Sequence, residues 1–137
     1  MAIKNLSPVA PLAAVDLVTQ AAAIGATLLY AVPATQGGLY RLRFLLKVTR
    51  AATTSSTLGA LTITYTDATD SVAQSVIALA GTQAGAAATT NAGNSTASVL
   101  QGAVTVNAKA GTNINFAIGY VSSGVTTMQY EAHLALN

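Results

Sequence analysis

The stretch Tyr40-Arg41-Leu42-Arg43-Phe44-Leu45-Leu46-Lys47-Val48-Thr49-Arg50 decides the fold. From Tyr40 to Val48 its even positions are Tyr, Leu, Phe, Leu and Val, and its odd positions are mostly Arg, Lys and Thr. Successive side chains of a strand point to opposite faces, so this period-two pattern predicts a half-buried β-strand with its bulk on one side. The same rule reads four more strands. Leu61, Ile63 and Tyr65 alternate with Thr62, Thr64 and Thr66. Leu100, Val104 and Val106 alternate with Gln101, Thr105 and Asn107. Ile114, Phe116, Ile118 and Tyr120 alternate with Asn115, Ala117 and Gly119. Met128, Tyr130, Ala132, Leu134 and Leu136 alternate with Gln129, Glu131, His133 and Ala135. Weaker strands are read at Thr27–Val32 and Val72–Leu79.

Turn chemistry separates these runs. Pro33–Gly38, Asp67–Asp70, Gly111–Asn113 and Ser122–Gly124 each suit a reversal. Two longer stretches, Thr53–Gly59 and Gly81–Thr96, show no periodicity and read as loops at one end of the sheets. Residues 12–24 carry two readings. One is a short helix closed by Gly25. The other is an edge strand from Val15 to Thr19 after an extended arm, favoured because Leu12, Leu17, Val18 and Ile24 make only a partial helical stripe. About eight short strands with turns every ~8–12 residues predict an all-β, single-domain β-sandwich, Greek-key or jelly-roll-like. Residues 1–14 form the extended N-terminal arm, held extended by Pro8 and Pro11, and residues 15–137 form the sandwich. Its expected core is Leu42, Phe44, Leu46, Ile63, Tyr65, Val104, Phe116, Ile118, Tyr130 and Leu134.

Composition then bears on function. Only 7% of the 137 residues are charged, while 52% are hydrophobic; ordinary soluble domains hold about 25% charged residues. Charge keeps domains dispersed, so strand faces this poor in it are expected to be covered by sister subunits or a larger shell. The net charge of +2 is small, and exposed aromatics for base stacking are lacking, so no nucleic-acid partner is expected. No apolar run reaches the roughly 20 residues of a membrane span, and the start resembles no signal peptide. There is no cysteine, which removes thiolate chemistry and disulfides.

The residues able to carry chemistry are few. Asp67 and Asp70 share one loop, but two carboxylates fall short of a calcium shell, and a polar turn capped by its own Asp side chains is the simpler reading. Glu131 and His133 lie two apart on one strand face beside Gln129. With no nucleophile in recognisable context, they read as a polar stripe at a contact or in solvent. Asn94-Ser95-Thr96 matches a glycosylation acceptor and, without a secretory signal, is taken as chance. No catalytic residue, cofactor or metal is assigned. Arg41, Arg43 and Lys47 share the outward face of one strand, suited either to gripping an acidic partner surface or to guarding a solvated edge.

Three phrases carry a resemblance: Thr27-Leu28-Leu29-Tyr30-Ala31-Val32-Pro33, Gly38-Leu39-Tyr40-Arg41-Leu42, and Gly119 through Tyr130 with its terminal Met128-Gln129-Tyr130. Together they resemble small virion structural proteins encoded among tailed-phage and prophage genes. The strand and turn order is also similar to trimeric jelly rolls of the C1q and tumour-necrosis-factor type. The resemblance implies a homotrimer that decorates or cements the phage head by binding the major capsid protein, resident in the virion and assembled in the bacterial cytoplasm. Pro8, Pro11, Arg41, Arg43 and Lys47 would be its partner contacts. The alternative is a receptor- or glycan-binding module at the tail tip, using Thr53–Gly59 and Gly81–Thr96.

Overall fold

A computed structural model describes residues 10–78 and 94–137. Its eight strands are β1 (Ala13–Gln20), β2 (Ile24–Ala31), β3 (Gly38–Arg50), β4 (Ser55–Thr66), β5 (Ala73–Ala78), β6 (Val99–Ala108), β7 (Asn113–Ser123) and β8 (Gln129–Leu136). They form two four-stranded sheets, ordered β1-β8-β3-β6 and β2-β7-β4-β5, with every pairing antiparallel. Of the connections, only β4–β5 stays within its sheet; each of the others crosses to the opposite one. That winding is the double Greek key of a jelly roll. The all-β single-domain sandwich expected from periodicity is therefore the fold.

The core lies between the sheets and is built from alternate positions of their strands. Leu42, Leu46 and Val48 of β3, Leu61 and Ile63 of β4, Ile114 and Ile118 of β7, and Tyr130 and Leu136 of β8 are essentially sealed from solvent. Phe44, Phe116 and Leu134 join them, whereas Tyr65 and Val104, expected inside, are only half-buried at its margin. Removing a leucine from such a core costs ~2–5 kcal/mol, so these positions dominate stability.

One open reading is decided and one expected loop is overturned. Within residues 12–24 the favoured edge strand is present and longer than Val15–Thr19: β1 runs Ala13–Gln20 at the edge of its sheet, and the Leu12 amide already donates to the Leu136 carbonyl at 2.7 Å. Pro11 is exposed just before it, and Pro8 lies outside the described residues. Pairing with β8 along Ala13–Leu17 satisfies a backbone that a short, poorly amphipathic helix would leave half-buried. The other outcome is a correction. Thr53–Gly59 is not a loop, because Ser55–Gly59 forms the first half of β4 and pairs with β7 from Ser55↔Ser123 to Leu58↔Tyr120. Its pattern was hidden twice over. The inward position next to Leu58 is a small polar residue, Ser56, and a bulge between Leu58 and Leu61 puts two inward residues three apart. The other expected loop, Gly81–Thr96, falls outside the described residues up to position 93.

The bulge has a steric cause. At it, β4 and β7 approach so closely that a Cβ on Gly59 would sit 2.8 Å from the Gly119 Cα. Only a glycine pair permits that approach.

Candidate interaction surfaces

The sandwich presents two outer faces, and they differ in kind. On the β1-β8-β3-β6 sheet, register alone assembles the first. Asp16 of β1 is paired with His133 of β8, which is paired with Leu45 of β3, which is paired with Gln101 of β6. One row along lie Ala14, Ala135, Arg43 and Ala103; on the other side Glu131 pairs with Lys47, and Lys47 with Val99. Arg41 follows beyond, opposite Thr105. Arg41, Arg43 and Lys47 thus do share an exposed face, as their odd numbering in β3 requires.

His133 is the organised element of this face. Its Nδ1 lies 2.7 Å from Asp16 Oδ1, and its Nε2 lies 3.9 Å from Glu131 Oε2. A carboxylate only accepts, so Asp16 places the imidazole proton on Nδ1. The other partner, Glu131, was foreseeable from spacing on β8. Asp16 was not: it is 117 residues away in sequence and arrives only because first and last strands pair. A shallow trough of about 400 Å³ runs between Asp16, His133, Ala135 and Arg43, its floor kept low by Ala14 and Ala135. Among the described residues no Arg or Lys of this face makes an ion pair, so its three cations remain available to an outside acidic group.

The β2-β7-β4-β5 face is the reverse. None of its four strands contains an Asp, Glu, Lys, Arg or His. Its outward rows read Leu28, Asn115, Thr64, Ser75 and then Ala117, Thr62, Ile77 across the strands. Leu28 and Ile77 stand about half exposed on the two edge strands, and Val121 is exposed at the end of β7. All the charge of the strands is therefore on one sheet, and the other is a flat field of Thr, Asn and Ala with an aliphatic knob at each side.

The remaining polar groups are committed to local structure. Asp67 Oδ1 accepts from the Thr69 amide at 2.7 Å and Asp70 Oδ1 from the Val72 amide at 2.9 Å; these are the Asx turns that Asp favours. The nearby Lys109 Nζ donates to Ser71 Oγ. Asn94 Oδ1 accepts from the Ala52 amide and from Ser56 Oγ, both at 2.7 Å, while its Nδ2 donates to the Ala52 carbonyl at 3.0 Å. The amide of the acceptor-like tripeptide thus serves as a clasp on the β3–β4 connection, a role no local pattern signals.

The tyrosines tie chain segments at the ends of the core. Tyr130 Oη donates to the Ala22 carbonyl, Tyr120 Oη to the Met128 carbonyl and Tyr40 Oη to the Gln36 carbonyl. Burial, reinforced by Tyr120, pushes the Tyr130 phenol up to about 12; burial and Tyr30 raise that of Tyr40. Both stay protonated donors through the neutral range. No protein-family model matches this chain, and no curated protein or solved structure matches it either.

Proposed function

We propose that the protein is a structural component of a phage-type virion, a self-assembling decoration or cement protein that docks on the assembled head. The observation that carries this reading is the segregation of charge between the sheets. A face without an ionisable group, bearing half-exposed Leu28 and Ile77, suits burial against copies of the chain, for which the resemblance implies three. The opposite face offers Arg41, Arg43 and Lys47 to an acidic shell of the major capsid protein. Each contact of an exposed cation contributes little. Repeated over a multivalent shell, such contacts sum to stable attachment, and binding only the assembled state stabilises that state by mass action. Jelly rolls serve in viral shells, a likeness of fold that adds to the reading without proving function. The tail-tip alternative loses the shorter of its two loops, since Ser55–Gly59 belongs to β4.

The test is to incubate purified protein with heads and with tails separated from an induced lysate of the strain carrying the gene. Co-sedimentation with heads at a fixed stoichiometry, lost on Arg43→Glu with Lys47→Glu, is the expected result. Association with tails alone supports the receptor-binding alternative, and association with neither particle overturns both.

A further inference from the structure

We infer that the uncharged β2-β7-β4-β5 face is a self-recognition surface on which a second copy of this chain stacks, sheet on sheet, about a two-fold axis. The inference rests on the self-assembling reading above and names the surface and the symmetry that serve it. Register supplies the argument. Leu28 stands on β2, one edge of the sheet, and Ile77 on β5, the other edge. Between them lie Asn115 and Ala117 of β7 and Thr62 and Thr64 of β4, all short and outward-facing. A two-fold axis in the plane of contact, running along the boundary of β7 and β4, exchanges the two edges. Leu28 of one copy then lies over the second copy's β5, one row from Ile77, and the reciprocal arrangement forms at the far edge. The two residues occupy neighbouring rows, so the facing knobs sit side by side, offset by about 7 Å along the strands. Both knobs thus meet knobs, and the low floor meets a low floor, as an isologous interface requires.

The area is sufficient. Four strands about 4.8 Å apart and about eight residues long at ~3.4 Å each give a face of about 500 Å². Two such faces bury about 1,000 Å² in all, the lower bound of a specific interface. Nothing ionic is desolvated. Stacking copies on the opposite face would desolvate Arg41, Arg43, Lys47, Asp16 and Glu131 together, which costs several kcal/mol for each ion left imperfectly paired. The same chemistry therefore points copies to one face and leaves the other for a different partner.

Two-fold stacking requires an even number of chains: two, or six where a three-fold ring also forms. Native mass measurement of the full chain over a range of concentrations gives that number directly. Leu28→Lys combined with Ile77→Lys places unpaired charges in the contact and is expected to weaken pairing by about tenfold or more. Arg43→Glu, on the other face, leaves the mass unchanged. Because the chain has no cysteine, a second measurement is independent of those variants. Ala117→Cys, treated with a bis-maleimide spanning the ~10 Å between stacked sheets, is expected to yield covalent two-chain species, while Ala103→Cys on the charged face is not. A mass of three chains, unchanged by the Leu28 and Ile77 substitutions and without Ala117→Cys cross-links, overturns the two-fold surface and leaves the cement reading standing. A single-chain mass at every concentration overturns both.

Discussion

Replacing Asn94 with alanine removes three hydrogen bonds from one junction. The Ala52 amide loses an acceptor, the Ala52 carbonyl loses a donor, and Ser56 Oγ loses its partner. Ser56 is 8% exposed and is the polar residue of the buried set, so its hydroxyl has little access to water in compensation. At about 1 kcal/mol for each lost bond, the substitution should destabilise the fold by about 3 kcal/mol. For 137 residues the unfolding entropy near the midpoint is about 0.29 kcal/mol/K, so Tm should fall by about 10 °C. The assay is thermal unfolding by circular dichroism at one fixed protein concentration, since self-association would itself move Tm. Asn94→Asp provides an internal check. It keeps the acceptor toward Ala52 N and Ser56 but turns an oxygen toward the Ala52 carbonyl, so its loss at neutral pH should shrink relative to wild type once acid protonates the new carboxyl, below about pH 4. A fall of less than 2 °C for Asn94→Ala would refute the view that this side chain clasps the β3–β4 connection.

Two further outcomes follow from local geometry. Gly59→Ala should destabilise by about 1–3 kcal/mol, because its Cβ would meet Gly119 backbone at 2.8 and 2.9 Å. Gly119→Ala should cost distinctly less, its nearest neighbour lying at 3.2 Å; denaturant midpoints in the reverse order would contradict the close-approach account of the bulge. Tyr130, with a folded-state value raised to about 12 against about 10 in the unfolded chain, contributes stability that is fully present below pH 10. That contribution should be lost between pH 10 and 12, at no more than about 1.4 kcal/mol per pH unit. Tyr130→Phe should flatten this alkaline decline, and a decline equally steep in the variant would place its origin elsewhere.

How far the chain can be read without its structure depends on what each strand does with its second face. β3, β7 and β8 bury one face and expose the other, so bulky and polar residues alternate and the period is plain in Tyr40–Arg50, Ile114–Tyr120 and Met128–Leu136. The first half of β4 breaks that rule for two physical reasons. Ser56 is buried because Asn94 satisfies its hydroxyl, and the glycine bulge shifts the phase between Leu58 and Leu61. A pattern counted on hydrophobicity misses both, since one depends on a partner 38 residues away and the other on a backbone approach. β1 was ambiguous because an edge strand at a sandwich margin is only half-buried throughout: Ala13, Val15 and Leu17 are all intermediate.

The surfaces repeat the lesson at a larger scale. That Arg41, Arg43 and Lys47 share a face follows from numbering within one strand. That Asp16 meets His133, and that every Asp, Glu, Lys, Arg and His of the strands falls on the same sheet, follows only from the order β1-β8-β3-β6. Charge-free runs were visible at Thr27–Val32, Leu61–Thr66, Val72–Leu79 and Ile114–Tyr120, but as separate facts. The winding gathers them into one sheet, because each charge-free strand but β4 is followed by a crossing to the other layer. A sequence with the same composition and the charges of β3 and β8 moved to β4 and β7 would preserve the alternation and the core. It would also leave neither face free of ions, and the proposed basis for copies recognising one another would vanish while the fold remained. The distribution of charge between layers, more than its scarcity, is what the proposed self-assembly rests on.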